Sequence, residues 1–309
     1  MSRSTKSNTP RDALTSAHVM TAEQQARRFE RYERQIGIPG VGEVGRYRYA
    51  NAYEGLRLRA HPEGLEICFL ARGQQTYRVN GQVYRLRGGD QYLVFPGEPH
   101  DSAGMPEEKG VLYWVFLKLT PARRSLLFLD AAASRTLRRT LLAMPSRHFA
   151  AEPGSRDLLE EIFHGIEHGR SKLDRLATAA LIQRYLFATV RASQRNRRAT
   201  PSPRIQRTLA HIAENVGELP SVPQLARLVR LSPSRFKARF REEVGLPPRE
   251  HVLRHKLAVA QSMLRTPKAT ITSVAHELGF SSSQYFATVF RRFTGMTPTH
   301  YQRDIQAKT

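Results

Sequence analysis

Cysteine is nearly absent from this chain: Cys68 is the single one in 309 residues. That excludes an intramolecular disulfide framework and fits a reducing compartment, the cytoplasm. No run of about 18 apolar residues occurs, so no membrane-spanning helix is expected. The longest candidate, Val111 to Leu117, has only strand length. The first dozen residues lack the apolar stretch of a secretory signal, and residues 1–20 read as a disordered tail. Acidic side chains are also scarce beside basic ones, 27 against 49, for a formal net charge of +22. The basic excess is four in residues 1–120, eight in residues 121–203 and ten in residues 204–309. It therefore grows toward the C-terminus, where it would neutralise nucleic-acid phosphates.

What the chain does have, in that basic third, is an internal repeat. Val222 to Pro248 overlays Ile271 to Pro298, so that Ala226 matches Ala275, Phe236 matches Phe286, Phe240 matches Phe290 and Gly245 matches Gly295. The offset passes from 49 to 50 across the turn, giving the second copy one extra residue. Each copy reads as a helix-turn-helix unit. A small residue sits where two helices cross, and a hydroxyl caps the second helix: Ser232 in one copy, one of Ser281 to Ser283 in the other. An aromatic pair four residues apart marks the buried face of that helix. The opposite face carries Ser234, Arg235, Lys237, Ala238 and Arg241 in the first unit, and Ser283, Gln284, Thr288 and Arg291 in the second. Short polar groups there suit base edges, and Arg241 and Arg291 suit phosphates. A helix from about Arg249 to Leu264, roughly 24 Å long at 1.5 Å per residue, joins the units. It holds two recognition helices about one turn of DNA apart, near 34 Å.

These residues resemble the DNA-binding domain of the AraC/XylS family of bacterial transcription regulators. The resemblance rests on Gly279-Phe280, Tyr285-Phe286, Phe290-Arg291-Arg292, Gly295, Thr297-Pro298 and Tyr301, and spans about a third of the chain. His251 and Lys256 depart from the family pattern, which usually has Tyr and Arg there. The resemblance implies double-stranded operator DNA and RNA polymerase as partners, a homodimer, a small-molecule effector and no catalytic residue.

The N-terminal part reads differently. Thr21 to Gln35 reads as a short charged helix with Phe29 and Tyr32 as its apolar stripe, and glycines punctuate Gly37 to Gly45. From Tyr47 to about Leu119 short strands alternate with glycine turns; Asn80-Gly81 is a strong hairpin signal. The pattern argues for a β-barrel or sandwich. The order of landmarks here resembles a cupin, the effector domain of the arabinose-sensing branch of that family. Arg59, His61, Glu66 and Gly73 match its first motif, with arginine where the first histidine belongs; Gly89, Pro96 and His100 match the second. His61, Glu66 and His100 would suit iron or zinc, but a guanidinium at position 59 repels a divalent ion. Three readings stay open: an organic-effector pocket, a bound metal, or a purely structural barrel. The first is expected, with Arg59, His61, Glu66, Tyr77, His100 and Trp114 as effector-binding residues and no metal or cofactor. Tyr92 and Tyr113 are further wall candidates, since alternation turns about half of these aromatics inward.

Residues 121–195 show helical spacing, with Ser171 and Asp174 as a capping box before the last helix. Leu173, Leu176, Leu181, Ile182, Leu186 and Val190 exceed what one barrel face needs, which suggests a dimer interface. Arg195 to Pro203 reads as a linker. The expected architecture is α+β: a tail (1–20), a cupin-like barrel (21–120), a helical connector (121–195), a linker (196–203) and an all-α double helix-turn-helix domain (204–309). The expected function is a cytoplasmic transcription regulator, an activator responding to a small polar effector such as a sugar. The alternatives are a metal-dependent cupin enzyme with a DNA-targeting tail, and a regulator that needs no effector.

Overall fold

The computed structural model describes residues 28–120, 125–195, 201–215, 220–266 and 269–306. The expected tail and most of the expected linker lie outside these residues.

The chain enters as β1 (Arg28–Tyr32) and a one-turn helix α1 (Glu33–Ile36), followed by β2 (Val41–Tyr49), β3 (Gly64–Arg72), β4 (Gln74–Val79), β5 (Gln82–Arg87), β6 (Asp90–Val94), β7 (His100–Asp101) and β8 (Gly110–Lys118). Helix α2 (Ala131–Leu142), β9 (His148–Ala150), α3 (Ser155–His168) and α4 (Lys172–Arg195) follow. All strand pairs are antiparallel, in a six-stranded sheet of order β1-β2-β8-β3-β6-β9 and a three-stranded sheet of order β5-β4-β7. The β4–β5 hairpin turns at Asn80 and Gly81, both at positive φ (49° and 82°), as the Asn-Gly signal demands.

Period-two alternation splits the large sheet between two cores. Leu65, Ile67 and Phe69 of β3, with Tyr113, Val115 and Leu117 of β8, pack against α2, α3 and α4. Cys68, Leu70, Leu112 and Trp114 face inward onto Tyr77, Val79 and Leu86 of the small sheet, closing the barrel.

Three expectations about the N-terminal half need correction. Phe29 and Tyr32 lie in a strand, not on a helix: β1 pairs residue for residue with β2, and Phe29 packs on Phe163 at 5.6 Å. Pairing with an open sheet edge overrides the local preference of a charged segment. The strand pattern also begins earlier than Tyr47, because the glycine-rich stretch is β2 itself; a Cβ on Gly45 would stand 2.0 Å from the Trp114 ring. Finally, residues 121–195 are not wholly helical, since β9 adds an edge strand to β6. The Ser171/Asp174 capping box forms as read, with Asp174 N–H donating to Ser171 Oγ at 3.0 Å and Ser171 N–H to Asp174 Oδ2 at 2.9 Å.

The C-terminal part comprises α5 (Pro203–Glu214), α6 (Val222–Leu228), α7 (Pro233–Val244), α8 (Pro248–Met263), α9 (Ile271–Glu277), α10 (Ser283–Thr294) and α11 (Pro298–Gln306). Each helix-turn-helix unit has its own apolar cluster, around Phe236 and Phe240 in one and Phe286 and Phe290 in the other. The connecting helix α8 serves both: Val252 packs into the first cluster, and Leu257 and Ala260 into the second. Among the described residues no helix is long and apolar enough to cross a membrane.

Candidate effector cavity and nucleic-acid interface

The two units share the hydrogen bond that closes each turn. Leu231 N–H donates to Ala226 O (3.0 Å) and Phe280 N–H to Ala275 O (2.9 Å). The turn reaches positive φ at Gly279 (64°) and at its counterpart Arg230 (54°). The recognition helices are capped by Ser232, which accepts from Arg235 N–H, and by Ser282, which accepts from Tyr285 N–H at 3.0 Å. The extra residue in the second turn is therefore Ser281. The rings of Phe236 and Phe240 meet tilted at 5.5 Å and those of Phe286 and Phe290 edge-on at 5.6 Å; all four are fully buried, which fixes the rotation of both helices. Ser234, Arg235, Lys237, Ala238 and Arg241 are consequently exposed together, as are Gln284, Thr288 and Arg291, with Ser283 half-buried beside them. Lys256 is buried in α8; its ammonium donates to the Leu278 carbonyl at the end of α9 and lies 5.7 Å from the Phe280 ring. That substitution from the family pattern is thus structural: it ties the connecting helix to the second unit.

The barrel brings the N-terminal candidates to one place. Strand β3 turns Glu66 inward, and the segment before it carries Arg59 and His61 over the barrel mouth through the Arg59↔His100 bridge. Arg59 Nη2 lies 3.1 Å from Glu66 Oε1, and its Nε–H donates to His100 Nε2 at 3.1 Å. His100 Nδ1 is 3.1 Å from the Glu98 carbonyl, and His61 Nε2 is 3.5 Å from Glu66 Oε2. Burial alone would push the Glu66 carboxyl up; the Arg59 guanidinium, together with hydrogen bonds from His100 and His61, outweighs it and holds the group well below the usual carboxylate range.

His61, Glu66 and His100 have ligand atoms within 4.8 Å of one another, a donor set that by type and spacing would suit iron or zinc. Arg59 does not fit that use. Its guanidinium hydrogen-bonds two of the three donors and places a fixed cation at the point where they converge.

Behind this cluster lies a cavity walled by Tyr77, Tyr92 and Trp114, with Tyr47, Arg28 and Glu107 at its far side. Of the tyrosine candidates, Tyr113 faces the other way and hydrogen-bonds Glu160 on α3. The free space is about 20 Å³, roughly the room of one water molecule. Tyr92 Oη is buried without a hydrogen-bond partner among the described residues. Tyr92→Phe should therefore leave stability unchanged or raise it by about 1 kcal/mol, read from the urea midpoint; a clear loss would show that the hydroxyl is paired. The sequence reading missed Arg28, Tyr47 and Glu107. Inward alternation from Tyr47 to Tyr49 was a usable signal, but Arg28 sat in a stretch whose local pattern reads as helix.

A barrel enclosing a small polar cavity, continuous with two helix-turn-helix units whose polar faces lie open, defines the class: a DNA-binding regulator with a ligand-binding domain. Comparison with known proteins agrees. The profile of the AraC-like ligand binding domain matches residues 43–184, and that of a helix-turn-helix domain matches residues 225–304. The chain belongs to the AraC/XylS family of transcription regulators. It is 23% identical over 248 residues to the Arabinose operon regulatory protein of Escherichia coli strain K12, covering 80% of this chain and 82% of that one. It is 25% identical over 267 residues to the MmsAB operon regulatory protein of Pseudomonas aeruginosa, covering 85% and 82%. It is 23% identical over 249 residues to the HTH-type transcriptional activator RhaS of Escherichia coli strain SE11, covering 80% and 86%.

Proposed function

We propose that this regulator is a cytoplasmic transcription activator that reads two successive major-groove segments and responds to a small polar effector, with sugars the first class to test. The observation that carries the DNA-reading half is the pair of exposed polar faces, each held outward by a buried phenylalanine pair. Ser234, Lys237 and Ala238, with Ser283, Gln284 and Thr288, are assigned to base edges; Arg235, Arg241 and Arg291 are assigned to the backbone. Relatives named as an activator and as an arabinose operon regulator support activation through RNA polymerase and a sugar effector.

For the effector half, the support is a cavity that joins aromatic faces to two Arg/Glu pairs, Arg59–Glu66 and Arg28–Glu107. Aromatic walls with a few polar groups suit a hydroxylated ring. Because the cavity is so small, a sugar-sized molecule must displace the Arg59–Glu66 pair or move the segment between β2 and β3. The expected division at residues 120 and 121 is best placed elsewhere: β9 and the core shared with α2–α4 favour a single sensor unit over residues 28–195, ahead of a DNA-binding unit from 204. Homodimerisation is assigned to α4, where Leu173, Leu176 and Phe187 share one face and are 73%, 41% and 51% exposed.

Genome-wide mapping of DNA bound by the native protein in its host tests the reading. Discrete peaks holding a paired motif about one helical turn apart are expected; diffuse, salt-sensitive binding without a motif would overturn it. Lys237→Ala should weaken specific binding by about 1–3 kcal/mol at one base position. Arg291→Ala should weaken all sequences alike and flatten the salt slope by about one unit. An equal loss at every sequence for Lys237→Ala would remove it from base reading.

A further inference from the structure

The barrel touches both helix-turn-helix units away from their DNA faces, and its charged contacts with the connecting helix come from one short segment between β7 and β8. Glu108 pairs with Arg254 of α8, and Lys109 Nζ lies 3.1 Å from Glu250 Oε2 on the same helix. Arg254 also meets Glu250 at 3.1 Å and donates to the Lys109 carbonyl at 3.3 Å. Both cations stand over the Phe293 ring at the end of α10, at 5.0 and 5.6 Å. These four charged side chains are at most 17% exposed. Nearby, Ala52 N–H donates to the Arg292 carbonyl at 2.8 Å. On the other side, the Gly88 backbone abuts Gly245, the cap of the first recognition helix, so tightly that a Cβ on Gly245 would fall 2.3 Å from Gly88 O. The barrel thus holds the ends of both recognition helices and the helix between them.

The same segment reaches the cavity. Glu107 is part of its wall, 3.9 Å from Arg28. Tyr47, also in the wall, accepts a hydrogen bond from Gln75 Nε2, and that nitrogen lies 3.3 Å from the Glu108 carbonyl. Gln75 is buried, and its Oε1 has no hydrogen-bond partner among the described residues. An unbroken run of polar contacts therefore joins Tyr47, Gln75, Glu108 and Arg254.

We infer that Gln75 and the Glu107–Lys109 segment couple the contents of the barrel cavity to the mutual placement of the two helix-turn-helix units. The inference rests on the reading of the cavity as the effector site. A buried cluster of paired charges tolerates partial loss poorly, because one missing partner leaves an uncompensated charge. The docked arrangement is accordingly closer to all-or-none than to graded. A ligand that rearranges Tyr47 or Glu107 shifts the docked population by its differential affinity for the two states. The recognition faces stay exposed while docked, so the device sets their geometry instead of covering them.

Hydrogen exchange followed by mass spectrometry on the full chain, without DNA or ligand, tests the coupling. Gln75→Leu, which alters no group in contact with α8, should raise exchange in residues 248–263 about tenfold or more, with β3, β6 and β8 exchanging as in the parent. Should that variant fail to fold, Tyr47→Phe removes only the hydroxyl and carries the same expectation. From the other end, Arg254→Gln should raise exchange in residues 105–110, since coupling is reciprocal. A folded Gln75→Leu or Tyr47→Phe protein with unaltered exchange in α8 overturns the proposal, even if Arg254→Gln behaves as expected. The genome-wide mapping is independent of this outcome, so a failure of the regulatory reading and a failure of the coupling are told apart.

Discussion

Phe290→Ala should melt the second helix-turn-helix unit at a urea concentration where the barrel is still folded. Phe290 is fully buried, with the rings of Phe286 and Tyr301 at 5.6 and 5.5 Å. Truncating such a ring costs about 3–5 kcal/mol, because the cavity left behind collapses only partly. A domain's whole stability is about 5–15 kcal/mol, and this unit is small. Its apolar cluster is separate from that of the first unit and from both clusters of the barrel. The one tryptophan, Trp114, lies in the barrel, so its fluorescence reports that part alone, while far-ultraviolet circular dichroism reports mainly helix. The dichroism transition should move to lower urea, and the fluorescence transition should stay near the parent value. An unmoved dichroism transition would mean that Phe290 is not part of a tightly packed core.

Arg59→Met should destabilise the barrel by about 3 kcal/mol at pH 7, because it leaves the buried Glu66 carboxylate without its counter-charge. The Arg59 side chain is 37% exposed, which places the loss at the lower end of the range for a buried pair. Acidity supplies the discriminating readout. In the parent, the Glu66 carboxyl is held below its ordinary value of 4.5. A depressed carboxyl contributes stability that is present above that ordinary value and is lost as pH falls through the folded-state value. In the variant the guanidinium no longer opposes burial and only the hydrogen bonds from His100 and His61 do, so the carboxyl rises from its depressed position and the folded form takes up a proton at higher pH than the parent does. The gap between the two proteins should then be widest at pH 7 and narrow as pH falls toward 4. A gap constant over that range would assign the effect of Arg59 to packing of its methylene stem.

Much of the regulatory half was legible in the residues because its determinants are local. Ser232, Ser282, Gly245 and Gly295 mark helix ends within a turn of the backbone groups they satisfy. Aromatics four apart decide which face is buried, whatever the helix later packs against, and Asn80-Gly81 fixes a hairpin by backbone conformation alone. The barrel's landmarks Arg59, Glu66 and His100 were also findable, but their joint arrangement was not. Whether a guanidinium points into a histidine–carboxylate cluster depends on a bridge between residues 41 positions apart in the chain.

Sequence by itself determined the double helix-turn-helix domain, its exposed polar faces, the β-hairpins and the place of the basic excess, since each follows from short-range spacing, from a direct repeat or from a count of charges, none of which depends on which distant surfaces meet. Only the tertiary structure decided that Arg28 belongs to a strand, that Tyr113 faces the helices while Tyr92 and Trp114 face the cavity, and that Glu108 and Lys109 hold α8. Those outcomes depend on strand register and on which distant surfaces meet. A shift of one residue in register reverses every side chain on a strand, and no local pattern carries that information.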